Sequence, residues 1–463
     1  MKKIKIAYIG GGSKLWARTF MNDLALTKGL GGEIALYDID EEAAIRNQKI
    51  GNIINQNEKT KSKFKYTVAP KIEVALKKAD FVIISILPGT FDEMHVDVHA
   101  PEKYGVYQSV GDTVGPGGVI RAMRTIPQYE FFAKKIKEVC PNAWVLNFTN
   151  PMSMCVKALY DNFKEIKVFG CCHEVFHAQK FLGLVLEKTK GIESTRKDIQ
   201  IDACGINHFT WITEAKYKDI DLLSLLPEFM DKYYEEGYYE YGTDRYSWKT
   251  NTFHYGNKVK MDLFRRYGVL GAAGDRHLVE FLDNNWYMKD PKMVDEYCFR
   301  LTTVPLRKER QKRQIAEQME LIEGKKEMVL AQSREEAVDL MKALLGFDVV
   351  VSNVNMPNMG QMRGVAEGVI VETNCIFSTD SIKPIVAKDL PINVLNLVNR
   401  NALNIEATYE GIIERNLEKI FNAFVNEPLC SSLTLTDARK LFKEMIIGTR
   451  KYLDPYFKDI DSF

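Results

Sequence analysis

With 463 residues, and 63 Lys and Arg against 62 Asp and Glu for a formal charge of +1, the chain has no overall field favouring nucleic acid or an anionic membrane. Its 46% hydrophobic and 27% charged residues are those of a soluble globular protein, which the length prior divides into roughly two to three domains. No apolar run reaches the length of a transmembrane helix, and the eight cysteines are scattered, with Cys171 and Cys172 adjacent, unlike a secreted disulfide framework.

The chain enters a strand at once, over Ile4–Ile9, which leaves no room for a signal peptide and, with the cysteine usage, points to a reduced, cytoplasmic setting. That strand ends in Gly10-Gly11-Gly12-Ser13, and a helical pattern follows over about Leu15–Leu26. Strand, glycine turn and helix form the context of a dinucleotide fingerprint, in which Gly10, Gly12 and Ser13 let the backbone approach a pyrophosphate at a helix N-terminus. The third glycine of the usual pattern is replaced by Leu15 and Trp16. The next strand, Glu33–Tyr37, leads into Asp38, where a carboxylate would bind ribose hydroxyls and repel a 2′-phosphate, favouring NAD over NADP. Asp38 and Asp40 are equally suited to opening the helix Glu41–Asn57.

The alternation continues with a strand at Tyr66–Ala69, a helix at Ile72–Lys78 and a strand at Phe81–Leu87. After a long loop come the helix Val119–Val139, the strand Ala143–Phe148, a helix after Pro151, and the strand Lys167–Cys172. This is a doubly wound, mostly parallel Rossmann-like sheet, expected to fill residues 1–195, with ligands beyond the carboxyl ends of its strands. After Gly191 the pattern changes to α+β. Strands are expected at Gln200–Thr213, Phe347–Val354 and Gly368–Cys375, and helical segments at Leu222–Tyr239, Met293–Leu321 and Ser333–Leu345, with a mostly helical tail over Val394–Phe457. Residues 196–463 are therefore expected to form the second domain. The aromatic content of Tyr233–Trp248 suits a core or subunit contact better than a base-stacking surface.

All seven histidines lie between His95 and His277. Cys172 and His173 end a strand and His208 ends another, so thiolate and imidazole are available to hold a divalent metal with positions left open, although a buried thiol is as often core. Asp112 sits in the glycine-rich loop Gly111–Gly118, followed by Arg121 and Arg124, and can be a site carboxylate or a turn residue. Asn150 can anchor sugar hydroxyls or cap the helix after Pro151. Gly274-Asp275-Arg276-His277 concentrates titratable groups after a small, flexible run, with Asp275 equally placed to cap a helix.

The ordered set Gly10–Ser13, Gly111–Gly118, Asn147–Pro151, Cys172-His173, Gly205–His208 and Asn355–Asn358 resembles glycoside hydrolase family 4 over essentially the whole chain. That resemblance implies a fold related to lactate and malate dehydrogenases, and NAD and Mn²⁺ as cofactors. It implies glycosidic cleavage by C3 oxidation, C2 deprotonation, elimination and water addition, with hydride returned, an exception to the two-carboxylate mechanism. Phosphosugar-specific members carry an Arg in the loop after strand four, and Asn or Asp after the metal-binding Cys. Here no Arg lies between Leu87 and Ile120, and His173 follows Cys172. The runs around Cys171–Phe176, Gly205–Thr213, Gly274–His277 and Val354–Gln361 are most similar to the bacterial α-galacturonidase branch, which releases galacturonate from small oligogalacturonides. α-Glucuronidase or α-galactosidase activity, or a net NAD-dependent sugar or hydroxy-acid dehydrogenase, are the alternatives. The resemblance implies Cys172 (not Cys171) and His208 as metal ligands, Asp275 as base, Asp112 as its electrostatic support, and His173 as proton donor to the leaving group. It further implies Asn150 on substrate hydroxyls, and Arg276 on the sugar carboxylate, with His277 and Arg124 as the other basic candidates. A homodimer or homotetramer follows from family habit.

Overall fold

The computed structural model describes residues 1–239, 244–333 and 335–463. Thirteen strands form one sheet: β1 (Lys2–Ile9), β2 (Leu30–Tyr37), β3 (Phe64–Val68), β4 (Phe81–Ile84), β5 (Trp144–Asn147), β6 (Lys167–Gly170), β7 (Gln200–Ile206), β8 (Phe209–Tyr217), β9 (Ile220–Asp221), β10 (Leu270–Gly271), β11 (Val350–Pro357), β12 (Ile370–Ser378) and β13 (Ser381–Pro384). The first six lie in the order β3-β2-β1-β4-β5-β6, all parallel, which is the doubly wound arrangement the alternating pattern predicts. The central strand β4 is buried throughout, and β5 and β6 at every position but the first, as strands covered by helices on both faces must be.

Beyond β6 the sheet turns antiparallel through β11, β12, β7, β8 and β10. The joint is narrow, a single pairing of Asn355 with Gly170. Helices over Ile392–Ile413, Leu417–Asn426 and Leu435–Gly448 pack their apolar stripes against the long helix Gly115–Val139 and close the main core. Among the described residues, no helix is long and apolar enough to cross a membrane.

Several elements depart from the sequence reading. The expected strand Gln200–Thr213 is a hairpin: β7 and β8 turn tightly at Asn207-His208, with His208 at φ 65°. A polar Asn-His pair inside a run of apolar residues is the turn signal that the strand reading passed over. The loop after β4 contains the helix Phe91–His99, opened by a Thr90/Glu93 capping box. The helix expected from Val119 starts at Gly115, because Pro116 suits a first turn and the glycines let other backbone approach it. Helical Met293–Leu321 is two helices, Pro291–Glu296 and Val304–Ile322. In the aromatic segment Tyr233–Trp248, positions 240–243 lie outside the described residues.

That early helix start positions the site loop. A Cβ on Gly118 would meet the Thr113 carbonyl carbon at 2.6 Å, so only glycine lets residues 108–113 lie across the first turn. The amide of Gly115 donates to Glu427 at 2.7 Å, and Asn404 donates to the other oxygen of the same carboxyl at 2.6 Å. Burial pushes the Glu427 carboxyl up to about 7, against those two donors. The folded state thus holds a proton that the unfolded chain releases near pH 4.3, so stability falls as pH rises from there to about 7, then levels. Thermal melts of Glu427→Gln between pH 5 and 8 should fall less steeply than those of the parent chain.

Candidate active site

One cross-strand row assembles the site. Gly170 on β6 lies opposite Asn355 on β11, Asn355 opposite Glu372 on β12, Glu372 opposite Gly205 on β7, and Gly205 opposite Thr210 on β8. Cys172 is two residues beyond one end of that row, and His208 sits in the hairpin turn at the other. Pairing register, not sequence proximity, brings the two candidate metal ligands to the same sheet edge. Thr210 donates its hydroxyl to Glu372 at 2.9 Å, and burial pushes the Glu372 carboxyl up to about 7, with Glu174 reinforcing the shift.

Cys172 is buried against Met152, Val156 and Ile370. Burial, together with Glu372 and Glu174, raises its thiol well above the ordinary range, while the Glu174 amide and the Asn207 side chain pull the other way. A divalent cation is what would reverse that balance, since a coordinated thiol is deprotonated. Cys171 is half-buried on the other side of the strand end, beside Glu335 and Glu336.

His208 is prepared for ligation by residues on the Gly111–Gly118 loop. The Thr113 hydroxyl donates to Asp112 at 2.9 Å and faces His208 Nδ1 at 3.0 Å. Burial alone would raise the Asp112 carboxyl, but the Arg121 and Arg307 guanidinia and the His208 and His277 rings bring it down to about 2. Asp112 is therefore an acceptor only, the Thr113 proton is committed to it, and His208 must donate from Nδ1. Nε2 is left with its lone pair, the tautomer a metal requires. Burial and His277 push the His208 imidazolium down to about 3, so the ring is neutral at physiological pH. Removing the relay hydroxyl in Thr113→Val should weaken divalent-metal binding by about 10–100-fold in a competition titration, with the fold retained.

His277 packs on His208 with ring centroids 4.1 Å apart, and its Nε2 lies 3.5 Å from Glu174. Glu174 also accepts from the Gly274 amide at 2.8 Å, tying the segment after β10 to the end of β6. His173, half-buried, has Nδ1 3.2 Å from Glu335, and its ring packs at a 40° tilt against Trp16 with centroids 5.7 Å apart. His173, Glu174 and His177 also place one ligand atom each within 4.8 Å of one another, a second donor set at the same helix start.

Asn150 does not cap the following helix. Its amide reaches Asp112 at 3.4 Å, its Oδ1 is buried without a partner, and its carbonyl accepts from Arg121 at 3.0 Å. Asn207 Oδ1, Asn355 Oδ1, His277 Nδ1 and Arg121 Nη1 are likewise buried without a hydrogen-bond partner among the described residues. So many unsatisfied polar atoms around one thiol and one imidazole are costly unless something polar binds among them. The donor set fits a divalent metal and a polyhydroxylated ligand.

Asp275 is fully buried, and its two oxygens accept from the Val259 and Lys260 amides at 3.2 and 3.1 Å. Those bonds satisfy two amides in the first turn of the helix Lys258–Tyr267 and fix the orientation of the carboxyl group. Arg276 is buried, donates to Thr302 at 3.3 Å, and its guanidinium has no carboxylate partner among the described residues. Arg124 is different. It forms a fully buried bidentate pair with Asp97 and donates to the Pro88 carbonyl at 2.9 Å, so it is a structural ion pair whose charge is already matched. Arg124→Met should destabilise the chain by about 3–5 kcal/mol in urea unfolding, because Asp97 would be left buried and uncompensated.

At the other candidate site, Gly10 adopts φ 89° where a Cβ would meet the Ser85 carbonyl oxygen at 2.0 Å, so the turn is open only to glycine. The Asp38 carboxylate accepts from the Gly12 amide at 2.8 Å and the Asp40 amide at 2.9 Å, and the Ser13 hydroxyl accepts from the Trp16 amide at 3.1 Å. Asn47 braces the loop from behind, donating to the Gly11 and Ser13 carbonyls at 2.7 and 2.8 Å. This shape, open at the carboxyl end of β1, suits a dinucleotide with an unphosphorylated ribose. Sequence reasoning missed Asn47, Glu372 and Glu427, while Thr113 and Asn355 stood in noted runs without a role.

Two family descriptions match the chain: Family 4 glycosyl hydrolase over residues 5–188, and Family 4 glycosyl hydrolase C-terminal domain over residues 203–430. A protein named Alpha-galacturonidase from Thermoanaerobacterium saccharolyticum is 52% identical over 452 residues, covering 97% of each chain. The crystal structure of Bacillus subtilis lplD, described as a glucosidase, superimposes with a TM-score of 0.90 at 43% identity, over 96% of this chain and 100% of that one. A 6-phospho-alpha-glucosidase from gut microorganisms, solved with NAD and Mn²⁺, shares the fold at a TM-score of 0.79 and 20% identity, over 97% of this chain and 99% of that one.

Proposed function

The chain belongs to glycosyl hydrolase family 4, and on that premise we propose that it is an α-galacturonidase, releasing galacturonate from small α-galacturonides with NAD and a divalent metal, Mn²⁺, as cofactors. The observation that carries this reading is the 52% identity, over 97% of both chains, to a protein named Alpha-galacturonidase. Arg276 adds to it, as a buried guanidinium that forms no ion pair with a carboxylate among the described residues, where a uronate can supply one.

In this reading Cys172 and His208 hold the metal, and Gly10, Gly12, Ser13 and Asp38 hold NAD. When bound, NAD⁺ supplies a hydride acceptor for C3 of the sugar, and the metal supplies a Lewis acid that makes the C2 proton removable. Asp275 takes the C2 proton, held in place by the Val259 and Lys260 amides. Asp112, ionised among Arg121, Arg307 and the two imidazoles, supports that charge and fixes His208 through Thr113. Asn150 binds sugar hydroxyls with the Oδ1 that has no partner of its own. His173, between Glu174 and Glu335, protonates the departing oxygen. His277 orients His208 and shares the substrate pocket with Arg276, and the role considered for Arg124 passes to Arg276.

The change from parallel to antiparallel pairing after β6 supports residues 1–195 as the NAD-binding domain and 196–463 as the catalytic and assembly domain. The eight free cysteines support a reduced, cytoplasmic setting. Exposed Val349, Val351 and Val386 around the β11–β13 meander support self-association as a homodimer or homotetramer.

Incubation with digalacturonate, NAD⁺, Mn²⁺ and a thiol should release galacturonate without stoichiometric NADH. Hydrolysis of a 6-phosphoglucoside with no action on digalacturonate would overturn the substrate assignment, and NADH accumulating mole for mole would mark a dehydrogenase instead.

A further inference from the structure

A run of guanidinium groups leads from the site to the surface. Arg307 is nearest the centre: its charge helps hold Asp112 ionised, and it donates to the Val110 carbonyl at 2.7 Å and the Thr302 carbonyl at 3.2 Å. Arg276 reaches the same Thr302, through its hydroxyl, and its Cζ lies 4.7 Å from the centre of the Phe253 ring. Arg310 approaches that ring at the same 4.7 Å and donates to the Thr252 hydroxyl at 3.0 Å. One helical turn further on, Arg313 is exposed.

The run becomes progressively more open. Arg276 is buried, Arg310 is half-buried, and Phe253 between them is 42% exposed, unusual for a phenylalanine in so polar a setting. None of Arg276, Arg307 or Arg310 forms an ion pair with a carboxylate among the described residues; their partners are threonine hydroxyls and main-chain carbonyls. Burial and the neighbouring Arg276 and Arg313 all disfavour the Arg310 cation. Arg307 has Asp112 nearby and Arg276 has Glu174, but Arg310 stands among like charges, an arrangement that becomes favourable when an anion lies beside it.

A galacturonide chain bears one carboxylate on every sugar, so one arginine at the scissile unit accounts for only the first. We propose that Arg310, oriented by Phe253 and Thr252, binds the carboxylate of the uronate unit on the leaving-group side of the scissile bond, making the enzyme selective for an acidic aglycone. This deepens the galacturonidase reading and rests on it. Arg276 holds the unit that is cleaved off, the open face of Phe253 meets the next ring, and Arg310 reads its charge.

The test compares digalacturonate with 4-nitrophenyl α-galacturonide, whose aglycone is neutral, using the full chain with NAD⁺ and Mn²⁺. Arg310→Ala should raise KM for digalacturonate about 10–100-fold, the loss expected for one charge-assisted hydrogen-bonded contact, and leave the nitrophenyl substrate within about twofold. Arg310→Lys should recover part of the digalacturonate affinity, as a purely packing role would not. Equal losses on both substrates, or no loss on either, would overturn the assignment of Arg310. If the parent enzyme hydrolyses neither galacturonide, it is the galacturonidase reading that has failed.

Discussion

A Cys172→Ser enzyme should lose at least about a thousandfold in turnover on digalacturonate, the scale of the several kcal/mol that a Lewis acid contributes, while its melting temperature and circular dichroism stay close to those of the parent. The thiol is buried against Met152, Val156 and Ile370, so a serine of nearly the same shape keeps the packing and adds only the modest cost of a buried hydroxyl. What it removes is the soft donor two residues beyond Gly170, at the end of the row that leads to His208. Isothermal titration with Mn²⁺ should show the loss directly. Cys171→Ser is the matched control: that side chain sits beside Glu335 and Glu336 and packs in a different apolar cluster from Cys172, and its replacement should change turnover by less than about twofold. Equal effects at the two positions would move the metal away from Cys172, with the His173, Glu174 and His177 set as the next place to look.

The second large effect is expected at Asp275. Asp275→Asn should lower turnover by about 10²–10⁴-fold, the range for a lost general base, with NAD and Mn²⁺ affinities maintained. Because the carboxylate also caps the helix Lys258–Tyr267, this variant should melt lower than the parent, by an amount near the roughly 1 kcal/mol of a lost cap. Chemistry and structure are separated by exchange of the C2 proton with solvent, which should stop in a variant that remains folded and binds both cofactors. A variant that melts lower but still exchanges C2 at the parent rate would return Asp275 to a capping role alone.

The parallel half of the fold was legible because it obeys local rules: apolar runs of strand length, glycine at the first turn, and helix-length spacers together leave few topologies open. The antiparallel half was less so. Whether Gln200–Thr213 is one strand or two depends on a left-handed residue at His208, and a histidine at φ 65° is held there by tertiary contacts that no local pattern announces. The candidate site divides in the same way. Cys172, His208, Asp112 and Asn150 could be named from strand ends and the resemblance, and the fold brings Asp112, Asn150 and His208 into one hydrogen-bonded group. Glu372 could not, since a single glutamate in β12 becomes a site residue only through the register that sets it opposite Asn355 and Gly205. Thr113 and Glu427 act through other residues, one on the tautomer of His208 and the other on the backbone of Gly115. Arg124 misled because an arginine in a glycine-rich neighbourhood resembles an anion binder, and its partner Asp97 lies in a helix that the sequence reading left as loop.

As an α-galacturonidase of the proposed kind, the chain cleaves its substrate by removing and restoring the proton at C2, with Cys172, His208 and Asp275 at the reacting end of the sugar. Hydrolysis of digalacturonate in D₂O, with NAD⁺ and Mn²⁺ present, reads that step in the product itself. Magnetic resonance of the galacturonate released from the cleaved unit should show deuterium at C2. Galacturonate released at the full rate with hydrogen retained at C2 would mean direct displacement at C1 and would contradict the account.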